Sequence, residues 1–162
     1  MKKKDFLTNI IEQGRLGLVE PSEEIKSSYL EKSESNLISA KLLLDNKRLE
    51  ESVSLIYYSM YHLVIALLFK IGIKSENHSA SIILLKDIFD IDNNELFNAK
   101  KERIDKQYYT DFKIAKEEVL EFLKIAEGFN NLLHDFINRL NSNDILNYKN
   151  KFKELIKNLQ TK

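Results

Sequence analysis

Apolar residues recur along this chain at steps of three and four, the period of helices that bury one face. The first dozen residues predict a short helix, which Gly14 and Gly17 around Arg15-Leu16 end and turn. Pro21-Ser22-Glu23-Glu24 marks a new start. Ser22 can accept from orphan backbone amides there, and both Glu side chains complement the positive end of the helix dipole. Ile25, Tyr29, Leu37, Ala40 and Leu44, with Ser33 in the gap, carry that helix to the polar break Asp45-Asn46-Lys47. Another helix runs from about Leu49 to Lys70 through Leu49, Val53, Ile56, Met60, Leu63, Leu67 and Ile71. Apolar residues fill much of its other side as well, which predicts an enclosed, central position, and Gly72 suits a left-handed C-terminal cap.

Lys74 to His78 reads as a polar connection, and Ser79 to Phe89 as a short helix with Ile82, Leu85 and Phe89 on one stripe. After the break at Asp90 to Asn94, a strongly charged helix from about Glu95 to Lys106 has Leu96, Phe97 and Ile104 to bury. Tyr108 to Ile114 shows no period. The clearest pattern spans Lys116 to Leu140, where Val119, Phe122, Ala126, Phe129, Leu133, Phe136 and Leu140 alternate threes and fours. Asn141-Ser142 offers the next N-cap, and a last helix carries Ile145, Tyr148, Phe152, Leu155 and Leu159, with Lys149, Lys151, Lys153 and Lys157 on its wet sides. The fold class expected is therefore all-α: an antiparallel helical bundle, one domain over residues 1–162, its core at about 22–140 and a C-terminal amphipathic helix at 141–162.

Composition narrows the chemistry. Four Gly and one Pro in 162 residues argue against an all-β chain and against a Gly-rich phosphate loop. Without Cys there is no disulfide, thiolate nucleophile or thiolate-held zinc, so a cytoplasmic protein is expected. Lys+Arg 25 balances Asp+Glu 25, and any contact with nucleic acid must come from a local patch. Lys2-Lys3-Lys4 is not followed by the apolar run of a signal peptide. Val53 to Phe69 reaches the minimum length of a membrane span, about 17 residues, yet it carries Ser54, Tyr57, Tyr58, Ser59, Tyr61 and His62 and reads as a buried helix, with no membrane partner expected.

None of His62, His78 and His134 has a Glu three positions earlier, and no H-E-x-x-H motif occurs, so no metal site and no cofactor is expected. Ser59 and His62 share a helix but lack a nucleophile-elbow context, which leaves a Ser-His-Asp triad little weight. The cluster Tyr57-Tyr58-Ser59-Met60-Tyr61-His62 has two readings: core aromatics with satisfied polar tips, or a polar pocket onto which Tyr58 and His62, one turn apart, both face. His78, beside a predicted helix start, should stay neutral there, and otherwise reads as an ordinary cap or surface residue. Between Lys100 and Tyr109, cations that can hold phosphate (Lys100, Lys101, Arg103, Lys106) precede aromatics that can stack on bases (Tyr108, Tyr109), although a solvated helix end reads the same way. On an unbroken helix Tyr108 would diverge from Arg103 by about 140°. The two converge if the helix ends between them, as the loss of period after Lys106 predicts.

In their order and spacing these features resemble the HEPN domain family, in particular the small prokaryotic members encoded beside minimal nucleotidyltransferases. The resemblance covers roughly Ser22 to Leu140 and rests on Tyr57-Tyr58-Ser59-Met60-Tyr61-His62, on Gly72 to His78, and on Arg103 followed by tyrosines before the long helix. It implies a toxin-like protein that binds RNA or nucleotide, forms a homodimer, and acts as a metal-independent ribonuclease under a nucleotidyltransferase antitoxin. In such nucleases an Arg stabilises phosphate charge and a His, separated from it by four to six residues, moves the proton. Arg103 matches the Arg, while the His position falls on Tyr108 or Tyr109, and a Tyr of pKa about 10 is a poor base near neutral pH. The resemblance thus implies Arg103, Tyr108 and His78 as catalytic candidates, His62 or His78 replacing the missing base, with Arg103, Tyr109, Tyr58, His62 and Lys106 as RNA- or nucleotide-binding candidates. Antitoxin partners of this kind attach AMP to a Tyr two places beyond the His, which is Thr110 here, beside the possible acceptors Tyr108 and Tyr109. Two other readings remain: a non-catalytic nucleotide- or substrate-binding module of a nucleotidyltransferase system, and a purely structural helical interaction protein.

Overall fold

The computed structural model describes residues 3–108 and 114–161, with backbone alone at 106–108. Among these the order is α1 (Lys3–Glu12), β1 (Leu16–Leu18), α2 (Glu23–Asp45), α3 (Leu49–Ile71), β2 (Ile73–Ser75), α4 (His78–Phe89), α5 (Asn94–Tyr108), α6 (Lys116–Arg139) and α7 (Ser142–Gln160). The fold is an all-α bundle. Its ends follow local chemistry: Ser22 Oγ accepts from Ile25 N at 3.1 Å, Asn77 Oδ1 from Ala80 N at 3.0 Å, and Asn141 Oδ1 from Asn143 N and Asp144 N. Glu118 reaches back to the amide of Ala115 at 2.7 Å, and Gly72 closes α3 in the left-handed region at φ 88°.

α3 is the axis of the bundle. It packs along α2 over most of its length, meets α6 and α5 on other sides, and touches α4 and α7. Ile56, Met60, Val64, Leu67 and Leu68 are fully buried on it, each worth about 1.5–3 kcal/mol relative to exposure. It is also the one described helix long and apolar enough to cross a membrane, yet 72% of its most apolar stretch is buried by its neighbours. Small residues let α2 and α3 approach closely: Ser33 Oγ donates to Ser59 O at 2.6 Å and Ser52 Oγ to Ala40 O at 2.8 Å. Those bonds offset the desolvation of each hydroxyl, which would otherwise cost about 1–3 kcal/mol.

Four expectations need correction. Leu16–Leu18 and Ile73–Ser75 are not plain connections; they pair as a two-stranded antiparallel sheet, Gly17 opposite Lys74. α4 starts at His78, one residue earlier than the pattern placed it. On α5, Leu96 and Ala99 face the core, while Phe97 is 58% exposed. Finally, α5 does not end between Arg103 and Tyr108: its backbone stays helical to Tyr108, so positions 103 and 108 sit about 140° apart around the axis.

Candidate functional site

Three elements converge on one side of α3. Tyr57, Tyr58, Tyr61 and His62 project from α3, His78 is the first residue of α4, and Lys100 and Arg103 lie one turn apart on α5. Leu96 and Ala99, buried on the same stretch of α5, press that helix onto α3, which carries Lys100 and Arg103 to half-buried positions.

Arg103 lies across two aromatic rings. Its guanidinium carbon is 5.2 Å from the Tyr57 centroid and 5.4 Å from that of Tyr58, and Nη1 donates to Tyr58 Oη at 3.3 Å. A guanidinium suits this half-buried place because it is weakly hydrated and gains from the ring faces. Lys100, one turn earlier, reaches α4 and donates to Ser79 Oγ at 2.5 Å. Burial and the neighbouring Arg103 hold its pKa below the ordinary lysine value.

His78 is fixed from two directions. Its Nδ1 lies 2.6 Å from Tyr57 Oη, and the Tyr61 ring stacks on the imidazole at a centroid distance of 3.9 Å and 13° between planes. Burial, then the charges of Arg103, Lys100 and His62, push its pKa down to about 4, so the ring is neutral at physiological pH. Burial pushes the phenols of Tyr57 and Tyr61 up, and both stay protonated. Tyr61 Oη is 3.4 Å from Ser81 Oγ, which in turn lies 2.8 Å from Ser75 Oγ at the end of β2. The small sheet is therefore tied to the site.

His62 closes the cluster toward α2. Asn36 Nδ2 lies 3.0 Å from its Nδ1, and its ring centroid is 5.5 Å from Tyr29 and 5.8 Å from Tyr58. Burial and then Lys32 lower its pKa. Tyr58 thus bridges His62 and Arg103.

Arg103, Tyr58, His62 and His78, which the sequence singles out as candidates, come together here; the side chains of Lys106 and Tyr108, and Tyr109 and Thr110 altogether, lie outside the described residues. His134 stands apart, exposed on α6 beside Asn138. Sequence reasoning places Tyr57 and Tyr61 in the aromatic cluster and Lys100 in the cationic segment, but singles out none of the three as a site residue. The i,i+4 spacing of Tyr57 with Tyr61 and the i,i+3 spacing of Lys100 with Arg103 put each pair on one helix face, but give no sign that α4 brings an imidazole against them. Among the described residues, no group of three or more His, Asp or Glu side chains is arranged to hold a metal ion.

The arrangement can present a cation, hydrogen-bond donors and aromatic faces to one ligand, a combination suited to phosphate and base. The profile of the HEPN domain matches residues 27–137, a span that contains every residue of the cluster. The chain is also similar to the UPF0332 protein PH1297 of Pyrococcus horikoshii, 43% identical over 60 residues, which is 37% of this chain and 42% of that relative.

Proposed function

Since this chain belongs to the HEPN domain family, we propose that it binds RNA or a nucleotide at the cluster around Arg103 and His78. The observation that carries the reading is the guanidinium of Arg103, laid over Tyr57 and Tyr58 within the same cluster as the neutral His78. In this reading Arg103 and Lys100 attract a phosphate, His78 adds a directed contact, and Tyr58, half-buried, offers a ring face to a base. A labelled single-stranded RNA oligonucleotide, followed by fluorescence anisotropy, tests it: Arg103→Ala should weaken binding about tenfold or more, within the range of a charge-assisted contact. Equal affinity of variant and wild type overturns it.

A second reading, metal-independent RNA cleavage, is favoured by one observation, an imidazole and a guanidinium in the same cluster. Cleavage assayed in chelator should then be lost in Arg103→Ala and His78→Ala, and equal background cleavage by all three proteins removes the enzyme while leaving the binder. The proposal extends to a homodimer and to a nucleotidyltransferase partner that attaches AMP to Tyr108 or Tyr109. Intact mass after co-expression with such an enzyme reads the added AMP directly.

A further inference from the structure

We infer that Tyr57 is a positioning residue: it donates its phenolic proton to His78 Nδ1 and holds the imidazole as the Nε2–H tautomer, which makes His78 a hydrogen-bond donor to a phosphate oxygen and not the base of a cleavage step. The inference deepens the binding reading above and rests on it for the identity of the ligand.

The direction of the bond follows from the groups available. Tyr57 is fully buried, and among the described residues His78 is the hydrogen-bond partner of its hydroxyl, at 2.6 Å. Were Nδ1–H to donate to the phenol instead, the phenolic proton would face no acceptor, at a cost of about 1–3 kcal/mol. A phenol is also a much stronger acid than a neutral imidazole N–H, and Arg103 over the Tyr57 ring strengthens it further as a donor. Tyr61 stacked on the other ring prevents a flip that would exchange Nδ1 for carbon.

The polarity of this pair is opposite to that of a histidine held by a carboxylate. A carboxylate accepts from one ring nitrogen and leaves a lone pair on the other, as a general base needs. Tyr57 occupies the lone pair on Nδ1 and leaves a proton on Nε2. To become a base at Nε2, His78 would first need a proton on Nδ1, which Tyr57 does not surrender because burial opposes its ionisation. The charged groups that act most strongly on the ring are Arg103 and Lys100 from α5 and His62 from α3, and Tyr58 and Tyr61 pack against it; none of these is a carboxylate that would invert the arrangement.

Long-range proton–nitrogen NMR of the ligand-free protein reads the tautomer without reference to any ligand, with His78→Gln assigning the signal. Wild type should show His78 protonated on Nε2 alone, and Tyr57→Phe should convert it to a mixture of both tautomers. His78 protonated on Nδ1 in wild type, or a tautomer unchanged in Tyr57→Phe, overturns the inference. AMP then serves as the binding probe, titrated calorimetrically. Tyr57→Phe should weaken AMP several-fold with the fold intact by circular dichroism, and unchanged AMP affinity overturns the role of the tautomer in binding. If wild type has the expected tautomer but neither AMP nor RNA responds to Arg103→Ala, the binding reading fails while the Tyr57–His78 pairing stands.

Discussion

Val19 and Gly72 lock the small sheet against the end of α3: the Val19 amide donates to Gly72 O at 2.9 Å, and a β-carbon on Gly72 would stand 2.6 Å from the carbonyl oxygen of Val19. Gly72 also sits at φ 88°, where a side chain is strained in any case. Gly72→Ala should therefore cost about 2–3 kcal/mol, read as a lower urea midpoint at unchanged slope. Gly17→Ala, where nothing lies within 4 Å of an added β-carbon, is the control and should move stability by no more than about 0.5 kcal/mol. Equal midpoints for the two variants would show that the close approach does not constrain the fold.

The contrast between these glycines marks what the sequence could and could not say. Gly72 was legible as a cap because it follows a long apolar period, and Ser22 and Asn141 were legible as helix starts by the same local chemistry. The strands Leu16–Leu18 and Ile73–Ser75 were not, since three residues are too few to display an alternation. Hydrophobicity without phase does not show which face Phe97 takes; Leu96 and Ala99 hold the inward positions of α5, and the large ring is left outside. At the site, Arg103, Tyr58, His62 and His78 were each visible as types able to do chemistry. The bond between Tyr57 and His78 was not visible, because it joins α3 to the first residue of α4 across a turn whose path no period encodes.

Asn130 supplies a second test of the core. Its Nδ2 donates to Ser59 Oγ at 3.1 Å, while its buried Oδ1 has no hydrogen-bond partner among the described residues. Asn130→Leu, of the same branched shape with methyl groups in place of the amide oxygen and nitrogen, removes that unmatched acceptor and leaves Ser59 Oγ still donating to Ile56 O at 2.8 Å. Stability should be unchanged or rise by up to about 1 kcal/mol. Asn130→Asp should lose more than about 3 kcal/mol at neutral pH, because a carboxylate replaces the amide in a buried site. That loss should shrink as the pH falls and the acid becomes neutral. Thermal melts of both variants at pH 7 and pH 4.5 decide it, and a stable Asp variant at pH 7 would count against a dry site.

The pH dependence of folding should carry the signature of His78. Its pKa falls from an ordinary 6.5 to about 4 in the fold, so the unfolded chain binds the extra proton between those values. Stability contributed by this group is present above pH 6.5 and is lost as the pH drops through about 4. The ring is only half-buried, so after allowance for solvent screening the loss is about 1–2 kcal/mol. His62, shifted in the same direction, adds to it. Urea midpoints measured from pH 7.5 to pH 4.5 should fall less steeply in His78→Gln than in wild type. Parallel slopes would place the titration elsewhere.

Replacing Arg103 by Lys separates charge from shape at the candidate site. Lys keeps the positive charge, but it loses the planar group that covers Tyr57 and Tyr58 at 5.2 and 5.4 Å and the fork that reaches Tyr58 Oη. A cation–π contact of this kind is worth about 0.5–2 kcal/mol, which corresponds to a loss of about 2- to 30-fold in affinity if RNA binding depends on the stacked geometry. The dependence of binding on salt should keep its slope, because the number of charges that meet phosphate is unchanged. Arg103→Ala should lower the affinity further and flatten the salt dependence as well. Should Arg103→Lys bind RNA as wild type does, the guanidinium acts as a bare charge, and its placement over two aromatic rings belongs to the stability of α5 on α3 and not to recognition.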